Sequence, residues 1–448
     1  MAMFYTCICF FAQQLCKNSL MKYTQLPNKL YIRNRAKLVK QLDNNALAVF
    51  NSNDVLPTNA DGHLPFVQNT DLFYMSGIDQ EETILLICPH ASREAWREIL
   101  FVKETNEEIA IWEGAKLNKK QAFEVSGVKT VMWLSQFNSV FNTLMAQSEC
   151  VYVNTNEHLR AHVEVETRDA RFIKKLRHDY PGHPHKRLSP IMHDLRSVKE
   201  PEEIEQLQRA CNITKSGVER ILKFIKPGVL EYEIEAELSH EFLKNGSRGF
   251  AYTPIIASGS SACVLHYIEN DQECKDGEVI LMDVGAEYGN YASDLTRSVP
   301  VNGKFTQRQK DVYNSVLSVM KGAMGILRPG ILIDEYHKEV GLMMQSELKS
   351  LGLLDRHDID KQNPSMPAYK KYFMHGTSHH IGLDVHDYGH YHKPVQENNV
   401  FTVEPGIYIR EEGLGIRLEN DIVIQRNGFT DLMGSIPLLV DEIEDAMN

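Results

Sequence analysis

The chain has 448 residues, 43% hydrophobic and 24% charged, with a formal charge of −12. That is an ordinary globular composition, long enough to expect two domains. No basic surplus exists to neutralise nucleic-acid phosphates, and the acidic balance disfavours anionic membranes, so neither is expected as a partner. Eight cysteines include no zinc-type Cys-x-x-Cys pair and no disulfide-like density, which points to reduced thiols and a cytoplasmic protein.

Residues 1–20 read as a leader of unknown role. Phe4 to Ala12 is apolar but too short to span a bilayer, and it lacks the basic start of a signal peptide. Residues 21–180 are expected to form an α/β domain. Short apolar strands at Ala46–Phe50, Thr83–Cys88, Glu98–Val102 and Cys150–Val153 alternate there with helical stretches. The breaker-rich run Tyr180-Pro-Gly-His-Pro-His-Lys186 reads as a linker.

A second domain, α+β, is expected over 195–448. Pro201, followed by Glu202 and Glu203, suits a helix start, and Leu207, Cys211, Val218, Ile221 and Leu222 mark its apolar face. Further helices are expected from about Glu231 to Lys244, from the capping box Thr306/Gln309, and from about Asp334 to Leu351. Strand hairpins lie between and after them.

Two of those hairpins carry acids inside apolar strands. Asp283 and Asp294 face each other if Tyr288-Gly289 is a two-residue turn, with Cβ atoms about 5 Å apart. Glu404 and Glu419 are symmetric about Glu411-Glu412. Each hairpin places its first acid two residues before a glycine, Asp283-Val-Gly285 and Glu404-Pro-Gly406, a weak internal repeat. Two carboxylates ~5 Å apart repel by about 3 kcal/mol at an effective dielectric of ~20. Gathering four therefore demands protons or cations, and pH 7 favours cations. The plainer alternative is four ordinary exposed acids, which their mid-strand placement among Val, Ile, Leu and Met weakens.

A histidine-rich segment follows: His375-Gly-Thr-Ser-His379-His380-Ile-Gly-Leu-Asp-Val-His386-Asp387. Histidine is a common metal ligand and the natural proton carrier near neutral pH. His266, ahead of the first hairpin, is a candidate for the same centre. Cys263, Ser260-Ser261 and His240-Glu241 lack the oxyanion, nucleophile-elbow and zincin frames their chemistry would need.

The ordered set Asp283, Asp294, His379, Glu404, Glu419, with G-x-S-H-H-I-G-L-D-V-H-D and T-V-E-P-G-I-Y-I, resembles the pita-bread metallopeptidases. Within these it most resembles the Xaa-Pro aminopeptidases, strongly over about 195–440. The resemblance is looser in the creatinase-like N-terminal domain, at Val67-Gln-Asn-Thr-Asp-Leu-Phe-Tyr-Met-Ser-Gly77. It implies a pita-bread catalytic domain and two divalent metal ions, Mn²⁺ by the oxygen-rich donor set, held by those five residues. A water shared by the ions would hydrolyse the bond before a penultimate proline, with Glu404 carrying the proton. It further implies that His266 and His386 bind the substrate carbonyl, and that Tyr252, His375 and Arg417 line the proline pocket. Arg417 has a second reading, as the counter-charge of Glu419 or Asp421. Trp112 matches an aromatic that completes a neighbouring subunit's site, which implies a homodimer or homotetramer. The alternatives are a prolidase confined to Xaa-Pro dipeptides and a non-catalytic binding module on the same fold.

Overall fold

The computed structural model describes residues 23–448. The leader at 1–20, with Cys7, Cys9 and Cys16, lies outside them. The chain divides into two compact units, one ending at Arg196 and one beginning at Ser197. No described helix is long and apolar enough to cross a membrane.

The first unit is built on a six-stranded mixed sheet. Its strands are β1 (Ala46–Asn51), β2 (Ile84–Ile87), β3 (Glu98–Val102), β4 (Thr130–Trp133), β5 (Cys150–Val153) and β6 (His185–Arg187). They lie in the order β4-β3-β2-β1-β5-β6. The central strands read as continuous apolar runs because the sheet is covered on both faces. Leu47, Val49, Leu86, Ile99, Phe101 and Val151 form its core with Phe141, Leu144 and Met145 from the helix Phe137–Met145. The four apolar stretches expected as strands are β1, β2, β3 and β5. The segment read as a linker is not one. Its end enters β6, which pairs in parallel with β5, a short polar edge strand without the alternation that would mark it.

The second unit pairs long helices with short sheets. Pro201–Leu222 has Pro at its first turn and buries Leu207, Cys211, Val218, Ile221 and Leu222. Glu231–Lys244, Gln307–Ile326 and Ile333–Ser350 follow. Thr306 caps the third helix reciprocally with Gln309, as expected. The sheets comprise β7 (Ile255–Ser258), β8 (Val279–Val284), β9 (Glu287–Tyr288), β10 (Tyr291–Ala292), β11 (Leu295–Pro300), β12 (Val400–Val403), β13 (Gly406–Ile409), β14 (Leu414–Arg417), β15 (Asn420–Gln425) and β16 (Gly428–Asp431). β8 lies between β11 and β7, and β15 between β12 and β16, while β13 pairs with β14. This is the α+β architecture expected of the pita-bread fold.

The first hairpin corrects the expected register. Leu295 faces Val284 and Thr296 faces Asp283, and Tyr291 faces Tyr288. The turn is therefore Gly289-Asn290, one residue later than expected. Both have positive φ, 59° and 70°, as a type I′ turn requires at both central positions. Asp283 is opposite Thr296, and Asp294 is its diagonal neighbour. With a period of two, the acids still share one face. In the second hairpin the register is the expected one. Val403 faces Asn420 and Gly406 faces Arg417, which sets Glu404 across from Glu419 where the strands change sheets.

Candidate metal centre

The two hairpins and the histidine segment bring their acids together. Asp294, His379 and Glu419 are buried, and each offers a ligand atom within 4.8 Å of the others. His379 Nε2 lies 3.4 Å from Asp294 Oδ2 and 3.6 Å from Glu404 Oε1. Asp283 joins through Tyr252, whose hydroxyl is 2.6 Å from Asp283 Oδ1 and 2.5 Å from Asp294 Oδ1. With one hydroxyl proton for two acceptors, both contacts are hydrogen bonds only when one carboxyl carries a proton of its own.

The electrostatics agree. Burial, then the charge of Asp283, pushes the Asp294 carboxyl well above its ordinary range. Burial, then Asp294, Glu404 and Asp283, does the same to Glu419. Burial raises Glu404 to about 7 against the lowering pull of His379. A site of buried carboxylates that resist ionisation is one that cations would relieve. Four carboxylates and one imidazole are hard, oxygen-rich donors suited to divalent ions. The residues fit such a group.

The tautomer of His379 fits too. Its Nδ1 lies 2.9 Å from the His380 carbonyl oxygen, which only accepts, so Nδ1 carries the proton and Nε2 faces the acids with a lone pair. The backbone amide of His379 donates to Thr402 Oγ1, whose hydroxyl reaches Glu404 Oε1.

Of the remaining candidates, four adjoin the centre. Arg417 Nη2 donates to Asp283 Oδ2 at 2.6 Å, so Asp283 is its direct partner, with the charge of Glu419 adding to it. Its Nη1 donates to the Tyr408 hydroxyl, which lies 2.7 Å from His375 Nε2. Tyr408 thus links Arg417 to His375, and Arg417 and Tyr252 meet at Asp283. The exposed His386 ring packs edge-on against His379, with centroids 4.4 Å apart. Two candidates stand apart. His266 is exposed on a turn, and no hydrogen bond or ion pair among the described residues ties it to the cluster. Trp112 lies in the first unit, on the helix Glu107–Glu113, and is 87% exposed.

A profile described as metallopeptidase family M24 matches residues 205–426, and one for the aminopeptidase P N-terminal domain matches 31–152. The Xaa-Pro aminopeptidase of Escherichia coli K12 is 35% identical over 441 residues, covering 95% of this chain and 98% of that protein. The chain belongs to metallopeptidase family M24. Human Xaa-Pro aminopeptidase 3 is 29% identical to this M24 chain over 394 residues, 85% of the chain and 76% of the human protein. E. coli aminopeptidase P solved with the inhibitor Pro-Leu superposes with a TM-score of 0.84 at 34% identity, covering 95% of this chain and 99% of that one.

Sequence reasoning missed several polar groups around this M24 centre. Thr296 Oγ1 donates to Glu419 Oε2 at 2.6 Å and accepts from Arg417 Nε at 3.1 Å. The correct turn would have placed Thr296 opposite Asp283. Asp421 Oδ2 accepts the backbone amide of Asp294 at 3.0 Å and the Cys211 thiol at 3.6 Å. Its signal was the two-residue spacing from Glu419 along one strand face.

Proposed function

We propose that this M24 chain is a dinuclear metallo-aminopeptidase that releases the N-terminal residue from peptides with proline in second position. The observation that carries the reading is the cluster of Asp294, His379 and Glu419, with Glu404 beside His379 and Asp283 joined through Tyr252, set in a chain matched along nearly its whole length by a Xaa-Pro aminopeptidase. Asp283, Asp294, His379, Glu404 and Glu419 would hold two divalent cations, Mn²⁺ by preference for hard oxygen donors. When bound, such ions polarise a carbonyl and make water acidic enough to supply hydroxide near pH 7.

The chain's own residues do the rest. Glu404, 3.6 Å from His379 Nε2, takes the proton of the attacking water at a carboxylate oxygen and returns it to the leaving prolyl nitrogen. His386 presents a ring nitrogen to the scissile carbonyl oxygen, and His266 does so from its exposed turn. Tyr252, His375 and Arg417 shape the pocket for a ring whose amide has no N–H to donate. Arg417 also holds Asp283 through its 2.6 Å bond.

The same reading covers residues 21–180 as the N-terminal domain and 195–448 as the catalytic one. It takes the protein as cytoplasmic and as a homodimer or homotetramer in which the exposed Trp112 completes a neighbour's site. The deciding experiment compares Arg-Pro-Pro with Gly-Pro after Mn²⁺ loading. Release of arginine from the tripeptide is expected, whereas cleavage confined to Gly-Pro would make the enzyme a prolidase. No bound cation by elemental analysis and no turnover of either peptide would leave a binding module.

A further inference from the structure

The segment that carries His386 has no regular secondary structure from Ile381 to His390, so no ladder of its own fixes it. Beyond the Ile381 amide, which donates to the Val400 carbonyl at 3.2 Å, its hydrogen bonds centre on Asp387. Asp387 Oδ2 accepts from Lys199 Nζ at 2.6 Å, and both side chains are 1% exposed. Asp387 Oδ1 accepts the amide of Tyr388 at 2.8 Å. The amide of Asp387 donates to the His380 carbonyl at 2.9 Å, the same oxygen that takes the Nδ1 proton of His379. One carbonyl thus ties the start of the turn, its end and the ring of His379 together.

The backbone is wound tightly around this ion pair. A Cβ on Gly382 would lie 2.0 Å from Asp387 Oδ2 and 2.8 Å from Lys199 Nζ. The amide of Ala292, beside the first hairpin, donates to the Gly382 carbonyl at 2.8 Å. Gly389 likewise leaves room for the His380 ring, which a Cβ would meet at 1.9 Å. Buried ion pairs are poor stabilisers compared with apolar side chains of the same shape, because desolvation offsets their attraction. A directional anchor accounts for this pair better than a stabilising one does. Lys199 also holds its own place, its amide donating to the Asn398 carbonyl at 2.9 Å.

We propose that Lys199 and Asp387 are a positioning pair for His386, anchoring its turn so that the imidazole stands beside His379. The inference rests on the assignment of His386 to the substrate carbonyl. The test is a double-mutant cycle. Lys199→Met is made in the wild-type chain and in His386→Ala, alongside the combined Lys199→Gln/Asp387→Asn exchange. The combined exchange removes both charges of the pair together, and it replaces Lys199→Met throughout should that variant not fold. With a proline-containing tripeptide, disrupting the pair is expected to lower kcat/KM about tenfold in the wild-type background and less than twofold in His386→Ala, as misplacement of one group predicts. In metal-free protein, amide hydrogen exchange over 381–388 should quicken about tenfold while the helix Pro201–Leu222 keeps its protection. Equal losses in both backgrounds, or unchanged exchange over 381–388, would overturn the pair's role while leaving that of His386 standing. Full activity of His386→Ala alone would overturn the assignment of His386, and this inference with it.

Discussion

The two carboxylate hairpins reach one centre by different geometries. In the first, Asp283 and Asp294 are diagonal, because the tight Gly289-Asn290 turn puts Thr296 and Gly285 directly across from them. In the second, Glu404 and Glu419 are straight across, around the looser turn Arg410–Gly413. Each hairpin supplies what the other lacks. Arg417 of the second reaches Asp283 of the first, and Thr296 of the first reaches Glu419 of the second. The acids of one hairpin are therefore held by donors of the other, so the metal centre and the packing of the two sheets form one structure.

The largest expected effect separates chemistry from that framework. Glu404→Gln keeps the shape and the contact with Thr402 but loses the proton acceptor, and kcat should fall by about 10²–10⁴-fold. The circular dichroism spectrum should stay unchanged. Near-normal turnover would remove Glu404 from the proton path and leave it a ligand only.

The paired glycines sharpen the geometric contrast. A Cβ on Gly285 would lie 1.8 Å from the Ser293 carbonyl oxygen, a backbone atom across the tight hairpin. A Cβ on Gly406 would first meet the Tyr408 hydroxyl at 2.7 Å, the end of a side chain. Gly285→Ala is expected to cost about 1–3 kcal/mol by overpacking and to weaken metal retention. Gly406→Ala should cost less, because its nearest backbone atom, the Ile416 carbonyl oxygen, lies at 3.1 Å rather than 1.8 Å. Equal denaturant midpoints would show that backbone rigidity does not distinguish the hairpins.

Removing metal tests the repulsion directly. Treatment with a chelator should lower the melting temperature of the wild type, since bound cations stabilise only the folded state. Glu419→Gln fixes the neutral form of a carboxyl that burial and its acidic neighbours hold well above its ordinary range, while keeping an acceptor for Thr296. Its metal-free form should be more stable than metal-free wild type by about 1 kcal/mol, at neutral pH. A less stable variant would mean that Glu419 is held by its hydrogen bond more than it is opposed by its neighbours.

Much of this was legible in the sequence, for identifiable reasons. The capping pair Thr306/Gln309 and the glycine after Lys244 locate helix ends because their signals lie within a few residues. The second hairpin could be read because its symmetry spans a long, unambiguous turn. The first was misread by one residue at the turn, since Tyr288-Gly289 and Gly289-Asn290 both contain a glycine and only the latter supplies two residues that tolerate positive φ. The edge strands β4 and β6 escaped because their half-buried or exposed residues carry no clear alternation. The Lys199–Asp387 pair joins residues 188 apart, a contact no periodicity announces.

The smallest effect on turnover concerns a buried acid away from the hairpins, which the charge of Arg168 relieves only in part. In the first unit, burial raises the Asp169 carboxyl to about 7, opposed by its hydrogen bond from Asn51. Folded chains thus keep this proton at pH values where unfolded chains, with a carboxyl near 4, have released it. The folded state binds more protons, so this contribution to stability is full below about pH 4 and declines as pH rises through about 7. Asp169→Asn fixes the neutral form. It should stabilise the protein clearly at pH 8 and much less at pH 4, with turnover unaffected. Urea midpoints at the two pH values measure it. The hairpin acids, by contrast, should lose their pH-dependent penalty when metal is added as well as when they are neutralised. A wild-type chain whose pH dependence vanished on metal loading alone would place all of it in the hairpins and none in Asp169.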